Sequence, residues 1–340
     1  MSAAAEKIGP PAEEVEAVSR AMRRRFGEAA RVENFDIPTL GGVNRTLIFD
    51  LVEGNSRRRI VSRQVTLLEG GHNPFIDPTD QFKVMEVAYR HGIPVPEPLF
   101  EYEPDDGMGI GFVMGFVAGE TMPNRLLKGK DFAEVRPKLP AQIGEIFARL
   151  HSIHPAEAAF LEKYPESKDV IQAWTDTFDA YREAHPAIEM GLRWLERNRP
   201  TPRPRRILHA DLRTGNFMAG PDGVTAVLDW ECAHIGNALE DLGYISVRSW
   251  RFGQYQLPVG GFGEREALYQ AYEAAGGEKI DRDEVLYWEF LGLIRWAIYN
   301  VMHGHFQVFT ERGSLISAAM GRNTAIVEYE LLMTLLGRYS

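Results

Sequence analysis

Apolar positions recur along this chain with two periods, and the change from one to the other divides it. Residues 11 to 27 place Val15, Val18, Met22 and Phe26 on one stripe at helical spacing. Glu13, Glu14 and Glu16 stand near the start of that helix and Arg23, Arg24 and Arg25 near its end, which complements the helix dipole. From about 35 to 67 the pattern is that of strands broken by turns. Leu47–Val52 and Arg59–Val65 flank Gly54-Asn55-Ser56, a hairpin turn. Residues 79 to 91 return to helical spacing with Phe82, Met85 and Tyr89 on one face, closed by Gly92 and then Pro94. A further strand pair runs through Leu99–Tyr102 and Gly111–Val117. Beyond Gly119 the spacing is helical almost throughout: Ile143, Phe147 and Leu150 share a face, as do Val170, Trp174, Phe178 and Tyr181, and long apolar helices fill 283 to 304 and 314 to 336. The pattern predicts an α+β chain with a β-rich first part and a mainly helical second part.

Composition narrows the partners. At 340 residues, 44% hydrophobic and 25% charged, the chain can bury a large core and form two lobes. A formal charge of −10 leaves no basic surplus to neutralise nucleic-acid phosphates. The tri-arginine reads as a solvated helix end docked on the first lobe. The single Cys232 cannot form an intrachain disulfide or a cysteine-based zinc site and fits a reducing compartment. The start, Met1 to Lys7, lacks the apolar core of a signal peptide, and no apolar run is long enough to span a bilayer. The expectation is a cytoplasmic protein with neither a nucleic-acid nor a membrane partner.

Chemistry concentrates in His209-Ala210-Asp211-Leu212-Arg213-Thr214-Gly215-Asn216, followed thirteen positions later by Asp229-Trp230-Glu231. Asp211 can accept a hydroxyl proton, while Asn216 and Asp229 offer the oxygens that a hard cation such as Mg2+ prefers. Phe217–Ala219 and Val224–Leu228 read as short strands joined by Gly220-Pro221-Asp222-Gly223, with proline second and glycine fourth in a type I turn. That hairpin folds Asp229 back beside Asn216. A metallohydrolase site of Asp211, Asp229 and His234 with Glu231 is the competing arrangement, although no paired-histidine helix motif accompanies it. Arg63 shares a strand face with Val61 and Val65, and a guanidinium among apolar neighbours needs an anion.

His-x-Asp-x-x-x-x-Asn, a hairpin and Asp-Trp-Glu resemble the catalytic core of the aminoglycoside phosphotransferase and choline kinase family, relatives of the protein kinases. The resemblance extends through Leu40–Thr46, Ile93–Pro96, Phe112–Met114, Ala148–His151, Glu240–Leu242 and Arg248–Gly253, covering residues 31 to 336. It implies a two-lobed protein-kinase-like fold: an N-terminal helical extension over 1–30, a nucleotide-binding N-lobe over 31–117 and a C-lobe over 118–340. It further implies ATP and Mg2+, with Asp211 aligning an acceptor hydroxyl, Asn216 and Asp229 holding the metal, and His209 holding the loop. Gly41, Gly42 and Arg63 would position the phosphates, and the backbone of Met114 and Phe116 would meet the adenine edge. Asp241 would brace the core without doing chemistry. Two positions depart from the protein-kinase pattern. Arg63 stands where lysine is usual, and Gln81 where a helix glutamate would pair with it. A nucleotide-binding scaffold without transfer is the reading those departures motivate.

The acceptor implied is a hydroxylated small molecule. No carboxylate cluster suits a polycationic aminoglycoside, whereas Arg248, Arg251 and Arg295 lie among aromatics, with Trp250, Trp296 and His303, after Asp241. Arg248–Gly253 and Leu257–Gly263 are similar to the branch of the family found as kinase-like domains of some acyl-CoA dehydrogenases. That branch points to a hydroxyacyl-CoA or another hydroxylated acid, with an aminoglycoside- or choline-type acceptor as the contrasting case.

Overall fold

The computed structural model describes residues 9–38, 45–64, 74–310 and 313–339. Five strands form the first sheet: β1 (Arg31–Asp36), β2 (Arg45–Glu53), β3 (Ser56–Gln64), β4 (Pro98–Glu101) and β5 (Gly111–Gly115). They are antiparallel throughout, in the order β1-β2-β3-β5-β4. The expected β2–β3 hairpin closes at Gly54, whose φ of 60° suits glycine in a two-residue turn. The last strand stops at Gly115, two residues short of the expected end, and the Phe116 N–H turns to the Arg59 carbonyl at 3.1 Å.

One face of the sheet is covered by α1 (Ala12–Phe26), which packs Ala17, Val18 and Met22 against Leu47, Phe49 and Leu51. Its arginines are satisfied on the first lobe. Arg23 pairs with Glu16, Arg24 and Arg25 with Glu103, and Arg20 donates to the Asp106 carbonyl. The other face receives α2 (Pro78–Arg90), where Phe82 packs on Phe112 at 5.7 Å and Met85 joins the core of the second lobe.

Helices dominate from Pro123 onward: α3 (Pro123–Lys128), α4 (Leu139–Ser152), α5 (Pro165–Lys168), α6 (Val170–Tyr181) and α7 (Pro186–Arg197). Two small sheets then interrupt them, β6 (Arg205–Leu208) with β9 (His234–Asn237), and β7 (Phe217–Gly220) with β8 (Gly223–Val227). The chain ends in α8 (Leu239–Tyr244), α9 (Arg265–Ala274), α10 (Arg282–Phe309) and α11 (Leu315–Leu335). The buried centre of α10, Leu291, Ile294, Ala297 and Ile298, is the spine of the large core. No helix among the described residues is long and apolar enough to cross a membrane.

The small sheets place the chemistry. β6 ends one residue before His209, and β9 begins five residues after Asp229, so their pairing draws both loops to one end of the lobe. The β7–β8 hairpin returns as predicted, and the Leu228 N–H donates to the Asn216 carbonyl at 2.8 Å, bringing Asp229 alongside Asn216. Gln142 of α4 clamps the turn, donating to the Asp222 carbonyl and accepting from the Val224 N–H. A side chain at Gly223 would collide with that amide at 1.8 Å, which is why glycine stands there.

Candidate active site

Asp211 sits in a buried loop with both carboxylate oxygens engaged. Tyr244, at the end of α8, donates its hydroxyl to Oδ1 at 2.6 Å, and the Asn216 amide donates to Oδ2. The same amide reaches the Asp211 carbonyl at 2.9 Å. Asn216 thus spends its N–H groups on the loop and keeps its carbonyl oxygen as the group suited to a cation. Tyr244 was not among the residues singled out from the sequence. Its partner is 33 positions away, and a tyrosine in an apolar run carries no local signal of such a contact.

The loop around Asp211 is pinned from three directions. His209 donates from Nε2 to the Leu228 carbonyl at 2.8 Å and accepts the Asp211 N–H at Nδ1, at 3.1 Å. Burial pushes its imidazole below the usual range, so it stays neutral with the proton on Nε2. It is a structural brace, as the resemblance implied. Asp241 accepts from the backbone N–H groups of His209 and Ala210 and from Nε2 of His151. Burial acts to raise its carboxyl, but His151, His209 and the Ala210 N–H hold it below the ordinary value. Ala210 is thereby kept at a φ of 60°, a left-handed conformation that alanine rarely adopts. From the third side, Thr214 donates to the Gly260 carbonyl at 2.6 Å. The Leu257–Gly263 run therefore supports the catalytic loop, and a side chain at Gly263 would strike Pro140 at 2.1 Å.

Asp229 also adopts a left-handed conformation, with a φ of 59°. Arg63 reaches it across the cleft between the lobes and forms a direct ion pair, with Glu231 3.8 Å from the same guanidinium. Burial works against the Asp229 carboxylate, but Arg63, and then Arg213, hold its carboxyl below the usual range. Glu231 goes the other way, pushed up to about 7 by burial and by the neighbouring Asp229 carboxylate. The cleft behind this pair is lined by Arg63, Gln81, Met85, Met114, Asp229 and Trp230. Arg63 and Met114 thus reach one pocket from adjacent strands. The Gln81 amide donates to the Ile76 carbonyl at 3.0 Å. The acidic partner missing from α2 is supplied instead by the Asp229–Glu231 segment. Phe116 is 39% exposed, with its N–H already given to the Arg59 carbonyl. Gly41 and Gly42 lie outside the described residues.

One carboxylate and one carboxamide side by side, Asp229 and Asn216, are hard oxygen donors of the kind that would suit Mg2+. Among the described residues no group of three or more His, Cys, Asp or Glu converges on a metal position. His234 is turned away to Glu240 at 3.2 Å and to the Cys232 carbonyl, so the metallohydrolase arrangement with Asp211 does not form.

The three arginines expected to meet a substrate are corrected by their surroundings. Arg295 is 1% exposed and pairs with Glu240 at 3.0 Å beneath the Tyr244 and Trp174 rings. Arg251 is 2% exposed, donating to the Ser246 and Tyr255 carbonyls and to Glu289. Arg248 stacks between Tyr255 and Tyr339 and faces Glu330. Breaking a buried ion pair typically costs about 3–5 kcal/mol, so Arg251 and Arg295 are committed to the fold. Another cation stands nearer the chemistry. Arg213 has its Nε 3.7 Å from Asp211 Oδ1 and its guanidinium over the Trp250 ring.

The profile of the phosphotransferase enzyme family matches residues 51–286, the span holding the cleft, the catalytic loop and the Asp229 segment. The chain belongs to that family. Human acyl-CoA dehydrogenase family member 11 is 32% identical over 178 residues, 49% of this chain but 22% of that protein. This chain therefore matches about a fifth of that relative's length. A solved choline/ethanolamine kinase family protein from Mesorhizobium loti covers 87% of this chain and 88% of its own, with a TM-score of 0.56 and 20% identity. Aminoglycoside phosphotransferase APH(4)-Ia, solved with AMP-PNP and hygromycin B, covers 92% and 97%, with a TM-score of 0.61 and 19% identity. At those identities the two structures establish the kinase-like α+β fold.

Proposed function

We propose that this family member is an ATP- and Mg2+-dependent kinase that transfers the γ-phosphoryl group to a hydroxyl of a small hydroxylated acid, free or as its CoA thioester. The observation that carries the reading is Asp211, held by Tyr244 and Asn216, with Asp229 brought alongside Asn216 and Arg63 reaching Asp229 from across the cleft. Asn216 and Asp229 hold the metal, which neutralises charge on the transferring phosphoryl group when bound. Arg63, already within reach of Asp229, is placed to bridge phosphate oxygens bound between them. Asp211 aligns the acceptor hydroxyl and receives its proton as the new P–O bond forms. The bond to the β-phosphate oxygen breaks, and ADP leaves with that oxygen.

The acid is favoured as acceptor because the second lobe presents Arg213 beside Asp211. The branch resemblance and the dehydrogenase relative point the same way. A scaffold without transfer was motivated by Gln81, and Glu231, 3.8 Å from Arg63, supports the transfer reading as an acidic neighbour of that arginine. The test is product mass. The enzyme with Mg2+ and ATP should add one phosphoryl group to a 4-hydroxy acid or its CoA thioester, and not to kanamycin or choline. Phosphorylation of an aminoglycoside alone would overturn the acceptor class, and failure on every alcohol would overturn the kinase reading.

A further inference from the structure

The second lobe presents a set of hydrogen-bond donors beside Asp211 that the steps above do not use. Arg213 carries five N–H groups, yet among the described residues its guanidinium makes a single hydrogen bond, to the adjacent Thr214 carbonyl at 3.3 Å. Its distance of 3.7 Å from Asp211 is an ion-pair contact and not a hydrogen bond. The guanidinium lies 4.7 Å above the Trp250 ring. Trp250 is 3% exposed, and its indole N–H has no acceptor among the described residues. Trp296 of α10 meets Trp250 at 4.7 Å in a T-shaped contact, and its indole N–H is also buried without an acceptor. Tyr244, which donates to Asp211, packs on Trp250 at 5.7 Å. The donors and the aspartate thus belong to one contiguous wall.

Arginine and indole N–H groups donate and cannot accept. Buried donors are normally met, and the Arg213 guanidinium, over the Trp250 ring and beside Asp211, keeps N–H groups to offer an oxygen-rich anion. The contact holds the Arg213 guanidinium over Trp250, on the side of Asp211 built from the segment after Asp241. Arg63 already serves the nucleotide side of the cleft.

We infer that Arg213, Trp250 and Trp296 form the acceptor subsite for a carboxylate carried by the substrate whose hydroxyl Asp211 aligns. The subsite selects short hydroxy acids over neutral alcohols. It rests on the kinase reading and names the charged group that reading leaves open between acid and thioester. Planar bidentate pairing suits a carboxylate to arginine, and the indole N–H groups complete the oxygen shell.

Calorimetric binding in the presence of Mg2+ and AMP-PNP, which fills the γ-phosphate position, tests it directly. Wild-type enzyme should bind 4-hydroxypentanoate at least roughly tenfold tighter than pentane-1,4-diol, the range expected of a charge-assisted hydrogen bond. Arg213→Met should bring the acid down to the level of the diol while AMP-PNP affinity and melting temperature hold. Arg213→Lys should recover part of the preference, and Trp250→Phe, which keeps an aromatic ring and loses the N–H, should weaken the acid alone. Equal binding of acid and diol by the wild type would overturn the subsite. So would an Arg213→Met enzyme that loses AMP-PNP affinity and keeps its acid preference, because Arg213 would then serve the γ-phosphate. Wild-type enzyme that binds neither compound yet phosphorylates another alcohol would overturn the subsite and leave the kinase reading standing.

Discussion

An aspartate aligns a hydroxyl only if its own oxygens are held in place, and Asp211 is held on both sides. Asp211→Asn preserves the shape and loses proton acceptance, so turnover should fall a hundredfold or more while nucleotide binding persists. Wild-type turnover in the purified variant would remove Asp211 from the reaction. Tyr244→Phe keeps the ring under Arg295 and deletes the hydroxyl that reaches Oδ1. A hydrogen bond to a charged group is worth about 1.5–3 kcal/mol, so kcat should fall roughly tenfold or more with little change in KM for ATP. In the double variant Asp211→Asn/Tyr244→Phe the second change should cost almost nothing further, since both act through one carboxylate. Additive losses would show that Tyr244 acts on the fold rather than on Asp211.

The metal pair separates at the same scale. Asp229→Ala removes the charged ligand and should abolish the extra thermal stabilisation that Mg2+ adds to ATP, whereas Asn216→Ala should only reduce it. Asp229→Ala also strips Arg63 of its nearest partner, so the comparison is made between ATP with and without Mg2+ within each variant. An undiminished Mg2+ effect in Asp229→Ala would place the metal elsewhere.

At the scale of elements, β3 determines what Arg63 can do. Strand alternation sets Ile60 and Ser62 toward α1 and the Tyr102 hydroxyl, leaving Val61 and Arg63 for the cleft. Arg63→Met should raise KM for ATP, and Arg63→Lys should retain part of the activity because a point charge replaces a planar fork. An Arg63→Met enzyme with unchanged KM for ATP would show that the arginine serves Asp229 alone. These elements were legible because their signals are local. The Gly54 turn, the stripe of α2 and the Gly220–Gly223 hairpin each announce themselves within a dozen residues. The β6–β9 pair was not foreseen, because two four-residue strands separated by 25 residues carry no alternation to read. The same limit sent Arg251 and Arg295 to the substrate in the sequence reading. Their acidic partners lie 38 and 55 positions away, and nothing local distinguishes an arginine with a distant carboxylate from one without. The juxtaposition of Asp211, Asn216 and Asp229 was legible because the hairpin between them is a local signal, while the Tyr244 contact and the unmet indoles emerge only from tertiary packing.

At the scale of the whole molecule, Asp241 joins three parts that are far apart in the chain. From α8 it holds the backbone of the catalytic loop, and through His151 of α4 it reaches Tyr272 of α9. Its carboxyl is depressed in the folded chain, despite burial, by His151, His209 and the Ala210 N–H. A group depressed on folding contributes stability above its unfolded pKa, about 3.9 for aspartate, and loses it progressively as pH falls toward the lower folded value. Asp241→Asn keeps one acceptor oxygen and no charge, so at pH 7 it should cost at least about 2 kcal/mol, the scale of a hydrogen bond to a charged group. The gap between wild type and variant should then narrow as pH drops below about 4, because the wild-type carboxylate takes up the proton whose absence distinguished it. Denaturant melts at stepped pH read both quantities. A gap that stayed constant down to the acid limb would mean that Asp241 supports the lobe by shape alone, and that the strained φ of Ala210 is held by something other than its charge.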